Sequence, residues 1–405
     1  MFKSLFERGA RKPPLLPDQD ESAESNNWNS SRKLPTPTTD SRHGRGCLLW
    51  GMISKNRKIH LRRLAIVSIV LITITVVGVG IWYAILLALI RRLSPPPTPS
   101  NGVQKVISSW VEPSATTPPL PSCTEDFTRD IQPIMCHSHN DYWRKVPLFD
   151  AISAGCSSVE ADIFLSSSSD LLVGHSSKQL RSGRTLKSLY LDPLFSILSN
   201  QNTPTPITNS TTPQGIFDTS PNTTLVLLLD FKTDGEALFP VVSSQLQPFR
   251  EKGWLTHYND TTLVPGPLTI VGTGNTLFSS IISDTTNPHR DIFFDAPLTT
   301  LSSSPEYTAQ NSYYASSSLS VAIGRTWFNR ITSSQLEIIE SQIKTAKERG
   351  LVSRYWDLPA WPVSFRTKVW KILEENEVGV LNVDDLLAAA RWNWKLCSVM
   401  GLDLC

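Results

Sequence analysis

The apolar positions of this chain follow two different patterns. Residues 64–90 (LAIVSIVLITITVVGVGIWYAILLALI) are apolar without a single charge. That exceeds the roughly 20 residues a helix needs to cross a bilayer, and it predicts one transmembrane helix. Beyond Cys123 the apolar residues come in short bursts that alternate between strand-like and helix-like spacing. Strand patterns fall at 134–136, 158–165, 171–173, 225–229, 268–271, 292–294, 319–323, 352–356 and 378–381. The run LVLLL at 225–229 is apolar at every position, as in a parallel strand buried on both faces. Helical spacing is clearest at 331–349, which stops at Gly350, and at 361–377, which stops short of Gly379. About eight β/α units in roughly 250 residues predict a (β/α)8 barrel, with a doubly wound open sheet as the alternative. The fold class is therefore α/β, preceded by a single transmembrane helix.

The flanks divide the rest. Residues 1–63 are polar, rich in Ser, Pro, Asn and Arg, and are expected to be a disordered cytosolic tail. Residues 91–122 carry two proline clusters and are expected to act as a semi-stiff stalk; 123–405 is the barrel domain. Lys55, Arg57, Lys58, Arg62 and Arg63 precede the span, and only Arg91 and Arg92 closely follow it. The positive-inside rule then gives a single-pass type II protein with a lumenal or extracellular barrel. Sequons at Asn209, Asn222 and Asn259 all lie on that side. So do five of six cysteines. A disulfide from Cys123 to Cys397 or Cys405 is expected, while Cys136 and Cys156 are expected to be buried free thiols. A net charge of +2 gives no reason to expect a nucleic-acid partner.

The chemistry concentrates in CHSHNDYW…GCSSVEADIFL…LLVGH, residues 136–175. Glu160 and Asp162 are two apart on a strand pattern, so they share one face. Two anions on one face repel and are costly to bury, and a bound cation is the simplest way to keep both charged. His139, Asn140 and His175 lie at neighbouring strand ends. Later strand ends carry Asp230 and Lys232, then Trp356 and Asp357, and barrel sites form at such ends. His137 is left outside the set. Trp356, Asp357 and Tyr142 are candidates for the substrate pocket and its rim. No Cys/His cluster has zinc spacing, and hard oxygen donors select one Mg²⁺ or Ca²⁺.

These motifs resemble a known superfamily. SHNDY at 138–142 and GCSSVEAD at 155–162 are similar to segments of eukaryotic phosphoinositide phospholipase C catalytic domains. LLDFK at 228–232 looks more like sphingomyelinase D and the glycerophosphodiester phosphodiesterases. With RYWDLP at 354–359 and LNVDDL at 381–386, the arrangement resembles the fungal altered inheritance of mitochondria protein 6 family, within the phospholipase-C-like phosphodiesterases. The resemblance implies His139 and His175 as general base and acid. It also implies Glu160, Asp162 and Asp230 as ligands of the cation, with Asn140 as a further donor, and Lys232 facing phosphate. The expected activity is phosphoric diester hydrolysis on a lipid or glycerophosphodiester. A barrel that has lost activity and kept a lumenal ligand pocket is the alternative. A glycosidase fits poorly, because same-face carboxylates on one strand cannot flank a sugar bond.

Overall fold

A computed structural model describes residues 46–93, 101–114, 126–204, 212–283, 290–394, 398–399 and 402–403. The chain forms two units, 1–94 and 95–405. Residues 1–45 of the expected tail, the Cys123, Cys397 and Cys405 pairing and the Asn209 sequon lie outside the described residues, whereas 46–63 of that tail are helical.

In the first unit, Gly46–Leu93 is one helix, and Arg57–Arg91 is long and apolar enough to cross a membrane. Two hydroxyls within its apolar run are satisfied locally. The Thr73 and Thr75 hydroxyls donate to the carbonyls of Ile69 and Leu71, at 2.8 and 2.9 Å.

The second unit is built on nine strands: β1 (Ile134–Ser138), β2 (Cys156–Leu165), β3 (Leu171–Val173), β4 (Leu225–Phe231), β5 (Leu268–Gly274), β6 (Ile292–Pro297), β7 (Ser312–Ser318), β8 (Val352–Trp356) and β9 (Val380–Val383). Eight of them are parallel and close in the order β1-β2-β4-β5-β6-β7-β8-β9 and back to β1. This is the expected barrel. The ninth, β3, runs antiparallel to β2 outside the ring, pairing Ile163 with Val173. His175 therefore arrives on a hairpin return, not at the end of a barrel strand.

Strand alternation decides what faces the lumen. On β2, Val159, Ala161 and Ile163 join the core beneath the helices. Ser158, Glu160 and Asp162 occupy the opposite face. On β4, Leu225, Leu227, Leu229 and Phe231 point outward, while Val226 and Leu228 join Val271, Tyr314 and Val380 in a small inner core. The polar residues thus sit above an apolar floor.

Two sequence expectations are corrected. Residues 319–323 are a short helix, not a strand: the Ser318 hydroxyl caps Val321 N at 3.2 Å, and the strand is the preceding, serine-rich Ser312–Ser318. Cys136 and Cys156 are not free thiols but form a disulfide, because the pairing of β1 with β2 brings their Cα atoms to 4.7 Å. Both are fully buried.

Ahead of Cys123, Gly102–Ser108 is a helix whose Val103 is buried against the segment around Phe127. Glu112, further along, forms an ion pair with Arg184.

Candidate active site

Asp162 and Asp230 are register partners on β2 and β4, and Glu160 lies one pleat deeper on β2. Their carboxylate oxygens come within 4.8 Å of one another. Glu160 and Asp162 are buried and Asp230 is half-buried. Asp230 has room because residue 274 is glycine at φ +66°, where a Cβ would collide with Asp230 Oδ1. The donor set fits one hard divalent cation: three carboxylates on one wall, with no thiol or imidazole among them.

The electrostatics show the strain of three acids together. Burial, then Glu160 and Asp230, push the Asp162 carboxyl up to about 6. Burial would also raise Glu160, but His137 and the Arg354 guanidinium outweigh it and hold this carboxyl well below the usual range. Arg354, itself buried, approaches Glu160 Oε1 at 3.4 Å and donates to Asn382 Oδ1 at 3.0 Å.

Lys232 was expected to face phosphate. Its ammonium instead bridges Asp230 Oδ2 at 2.5 Å and Asp162 Oδ2 at 3.0 Å. Burial would lower its pKa, but Asp230 and then Asp162 raise it. With two carboxylates so near, the ammonium is drawn to them.

The two histidines stand beside different members of the trio. His139 Nε2 is 3.7 Å from Glu160 Oε2, and His175 Nδ1 is 3.6 Å from Asp162 Oδ2. His139 Nδ1 meets Asp384 Oδ1 at 2.7 Å. Asn140, left-handed at φ 49°, turns its backbone N–H onto Glu160 Oε2 at 2.9 Å.

Tyr142 is not at a rim. It is buried, and its hydroxyl donates to Asp162 Oδ2 at 2.8 Å, with Asn140 Oδ1 at 2.5 Å and His175 Nδ1 at 3.0 Å. Burial and Asp162 push this phenol far up, so it stays protonated. One hydroxyl proton cannot serve three acceptors. With Asp162 taking it, His175 is best satisfied as the Nδ1–H tautomer, donating to the tyrosine oxygen.

Trp356 and Asp357 are both exposed at the C-terminal end of β8. His137 faces the lumen fully buried, its Nδ1 2.6 Å from Ser158 Oγ; burial, then Arg354, lowers its pKa to about 3.

Sequence reasoning missed two contributors. Asp384 follows β9, but the adjacent Asp385 offers the same chemistry, and nothing local says which one meets His139; Asp385 in fact pairs with Arg366. Arg354 stood in a quoted motif, yet its partners lie on other strands.

Comparison with known proteins places the chain. Residues 125–295 match the model of the AIM6-like phosphodiesterase domain. The altered inheritance of mitochondria protein 6 homolog of Arthroderma benhamiae is 42% identical over 274 residues, covering 65% of this chain and 85% of that protein. The Eremothecium gossypii protein is 36% identical over 289 residues, covering 68% and 73%. Among solved structures, a glycerophosphoryl diester phosphodiesterase from Parabacteroides distasonis aligns with TM-score 0.38 at 12% identity, covering 67% of this chain and 90% of that one. The phosphatidylinositol-specific phospholipase C of Listeria monocytogenes aligns with TM-score 0.34 at 11% identity, covering 67% and 95%. At 42% and 36% identity over most of each relative's length, this chain belongs to the altered inheritance of mitochondria protein 6 family.

Proposed function

We propose that the chain is a membrane-anchored, metal-dependent phosphoric diester hydrolase acting on a lipid or glycerophosphodiester. The observation that carries this reading is the pairing of one histidine with each end of the acid trio, His139 beside Glu160 and His175 beside Asp162. Breaking a phosphodiester needs a base for the attacking hydroxyl and a proton for the leaving oxygen, each worth roughly 10²–10⁴-fold.

His139 is the better base. The Asp384 carboxylate takes its Nδ1–H, which leaves Nε2 free to accept a proton and stabilises the imidazolium that results. His175, its Nδ1–H held on the Tyr142 oxygen, acts as the acid in its imidazolium form, giving the Nε2 proton to the leaving oxygen and returning to the neutral Nδ1–H tautomer. Lys232 supplies positive charge beside the same carboxylates. A Mg²⁺ or Ca²⁺ ion held by Glu160, Asp162 and Asp230, with Asn140 as a further oxygen donor, would offset the charge developing on phosphoryl oxygens.

The span is proposed to hold the barrel on the lumenal or extracellular side, with the N-terminus cytosolic. A buried disulfide in the barrel supports an oxidising compartment, and the Asn222 sequon is exposed. A mobility shift on enzymatic removal of N-glycans is expected, and its absence from the native host's protein would count against this side. The second reading is a barrel that binds a ligand without turning it over; the Lys232 ammonium, which already neutralises two of the acids, favours it.

One assay separates the two. Purified full-length chain is offered a panel of glycerophosphodiesters and phospholipids with and without EDTA. Release of product that stops in EDTA and in His139→Ala and His175→Ala is expected. Turnover that persists in any of these sinks the mechanism, and no turnover on any member supports the binding barrel.

A further inference from the structure

Outside the span, every exposed aromatic residue among the described ones is Trp143, Trp327, Phe328, Trp356 or Trp361. All five follow the C-terminal ends of three barrel strands: Trp143 follows β1, Trp327 and Phe328 lie between β7 and the helix Ser333–Glu348, and Trp356 and Trp361 end and follow β8. In the closed sheet, β7, β8, β9 and β1 are consecutive. The aromatics therefore crowd one arc of the barrel mouth, the same end that carries the acid trio. Leu387, exposed after β9, fills the remaining sector. The connections after β2, β4, β5 and β6 contribute only Leu263, Leu277 and Ile282 as large exposed apolar residues among those described, and no aromatic. The asymmetry is not a general property of the surface.

The tip of this arc is built at a cost. Trp327 and Arg330 bridge in antiparallel fashion around Phe328 and Asn329, which both have positive φ, 51° and 54°. A left-handed phenylalanine is strained, and strain kept with no packing to reward it points to a role outside the fold. Phe328 is 91% exposed, so nothing in the barrel rewards it.

The charge on the arc selects the partner. Arg325 lies over the Trp327 ring at 4.5 Å, and Arg330 and Lys145 are exposed beside the aromatics. None of the three forms an ion pair among the described residues. The acids on the same arc are Asp357, Asp384, which faces His139, and Asp385, which is paired with Arg366. Tryptophan and phenylalanine beside arginine is the composition of a membrane interface, where rings sit at headgroup depth and cations meet anionic lipid.

We propose that this arc of the barrel mouth docks on an anionic phospholipid surface, with Phe328 and Trp361 inserted and Arg325 and Arg330 on the headgroups. The proposal rests on the reading of the chain as a membrane-anchored enzyme of lipid diesters, and it says how substrate reaches the site. Trp143 belongs to the arc and also packs on His175, with ring centroids 4.6 Å apart. A lipid held at the rim would thus lie next to the acid trio without leaving the bilayer.

The test uses full-length chain in vesicles of phosphatidylcholine and phosphatidylserine whose acyl chains carry bromine at shallow positions. Emission of the wild type minus that of the Trp327→Ala, Trp361→Ala double variant isolates these two of the four mouth tryptophans from Trp82 in the span. Bromine is expected to quench this difference roughly twofold. The quenching should weaken without phosphatidylserine, and Arg325→Gln with Arg330→Gln should remove that dependence. A difference emission equal in brominated and plain vesicles overturns the proposal and leaves the arc to a protein partner. If the double variant is misfolded, Phe328→Trp provides the reading as an added reporter at an open position. None of these readouts needs turnover, so a barrel without hydrolase activity leaves the docking intact. Extraction by alkaline carbonate tests the span separately: a chain that is quenched yet extracted keeps the docking surface and loses the anchor.

Discussion

Asp384 Oδ1 lies 2.7 Å from His139 Nδ1, although 245 positions separate the two residues. Closure of β1 onto β9 makes this possible, since Ser138 and Val383 are register partners and the two side chains project from the next positions. A carboxylate at Nδ1 fixes the tautomer and steadies the imidazolium. Asp384→Asn should lower kcat on the substrate that the panel identifies by roughly 10²–10⁴-fold, with KM little changed. Asp384→Glu should recover part of the loss. A kcat within about twofold of wild type in Asp384→Asn would remove Asp384 from its positioning role.

Lys232 and the acid trio compete in a way that metal titration can read. In Lys232→Met the methylene stem is kept, but two carboxylates lose their counter-charge. Lys232 is partly exposed, so the destabilisation of metal-free protein is expected to be modest, about 1–3 kcal/mol. The same change frees oxygens that a divalent ion needs. Mg²⁺ or Ca²⁺ should therefore raise the melting temperature more in Lys232→Met than in wild type. No metal-dependent shift in either protein would mean that the trio does not hold an ion.

The barrel was legible from sequence because strand-like and helix-like spacings alternate along it, and 225–229 declares itself by an unbroken apolar run buried at every position. The acid pair was legible because Glu160 and Asp162 fall two apart. What failed to show depended on pairing between distant segments. Residues 319–323 alternate as a strand would, but the Ser318 cap makes them helical. β7 hides among serines because its small side chains pack inside the barrel. Asp384, Arg354 and the Cys136–Cys156 bond become meaningful only once β1 is set between β2 and β9.

The disulfide makes its own prediction. Cys136 and Cys156 close a 20-residue separation between neighbouring strands. In the chain-entropy view, such a loop stabilises by about 3 kcal/mol. Cys136→Ala with Cys156→Ala should lower the urea midpoint and raise the unfolding slope, because the denatured chain without the cross-link exposes more surface. Peptide mapping of the unreduced protein should recover the two cysteines linked. If they are recovered as free thiols, the pairing is wrong.

His137 connects the barrel floor to pH. Ser158 Oγ accepts from the Tyr314 hydroxyl at 2.8 Å and donates to His137 Nδ1, which leaves the ring neutral with its proton on Nε2. Burial, then Arg354, lowers its pKa from 6.5 to about 3. Between those values the unfolded chain binds a proton that the folded protein refuses. The contribution of His137 to stability is therefore complete above pH 6.5 and is lost as pH falls toward 3. Asp162, pushed up to about 6, slopes the other way, because its folded form binds the extra proton. The difference between wild type and His137→Asn isolates the histidine. That variant loses packing at every pH but should lack the histidine's slope. Its stability deficit in urea should then shrink by about 2 kcal/mol between pH 6.5 and about 4.5. A deficit that stays constant across that window would show that His137 is not held neutral in the fold.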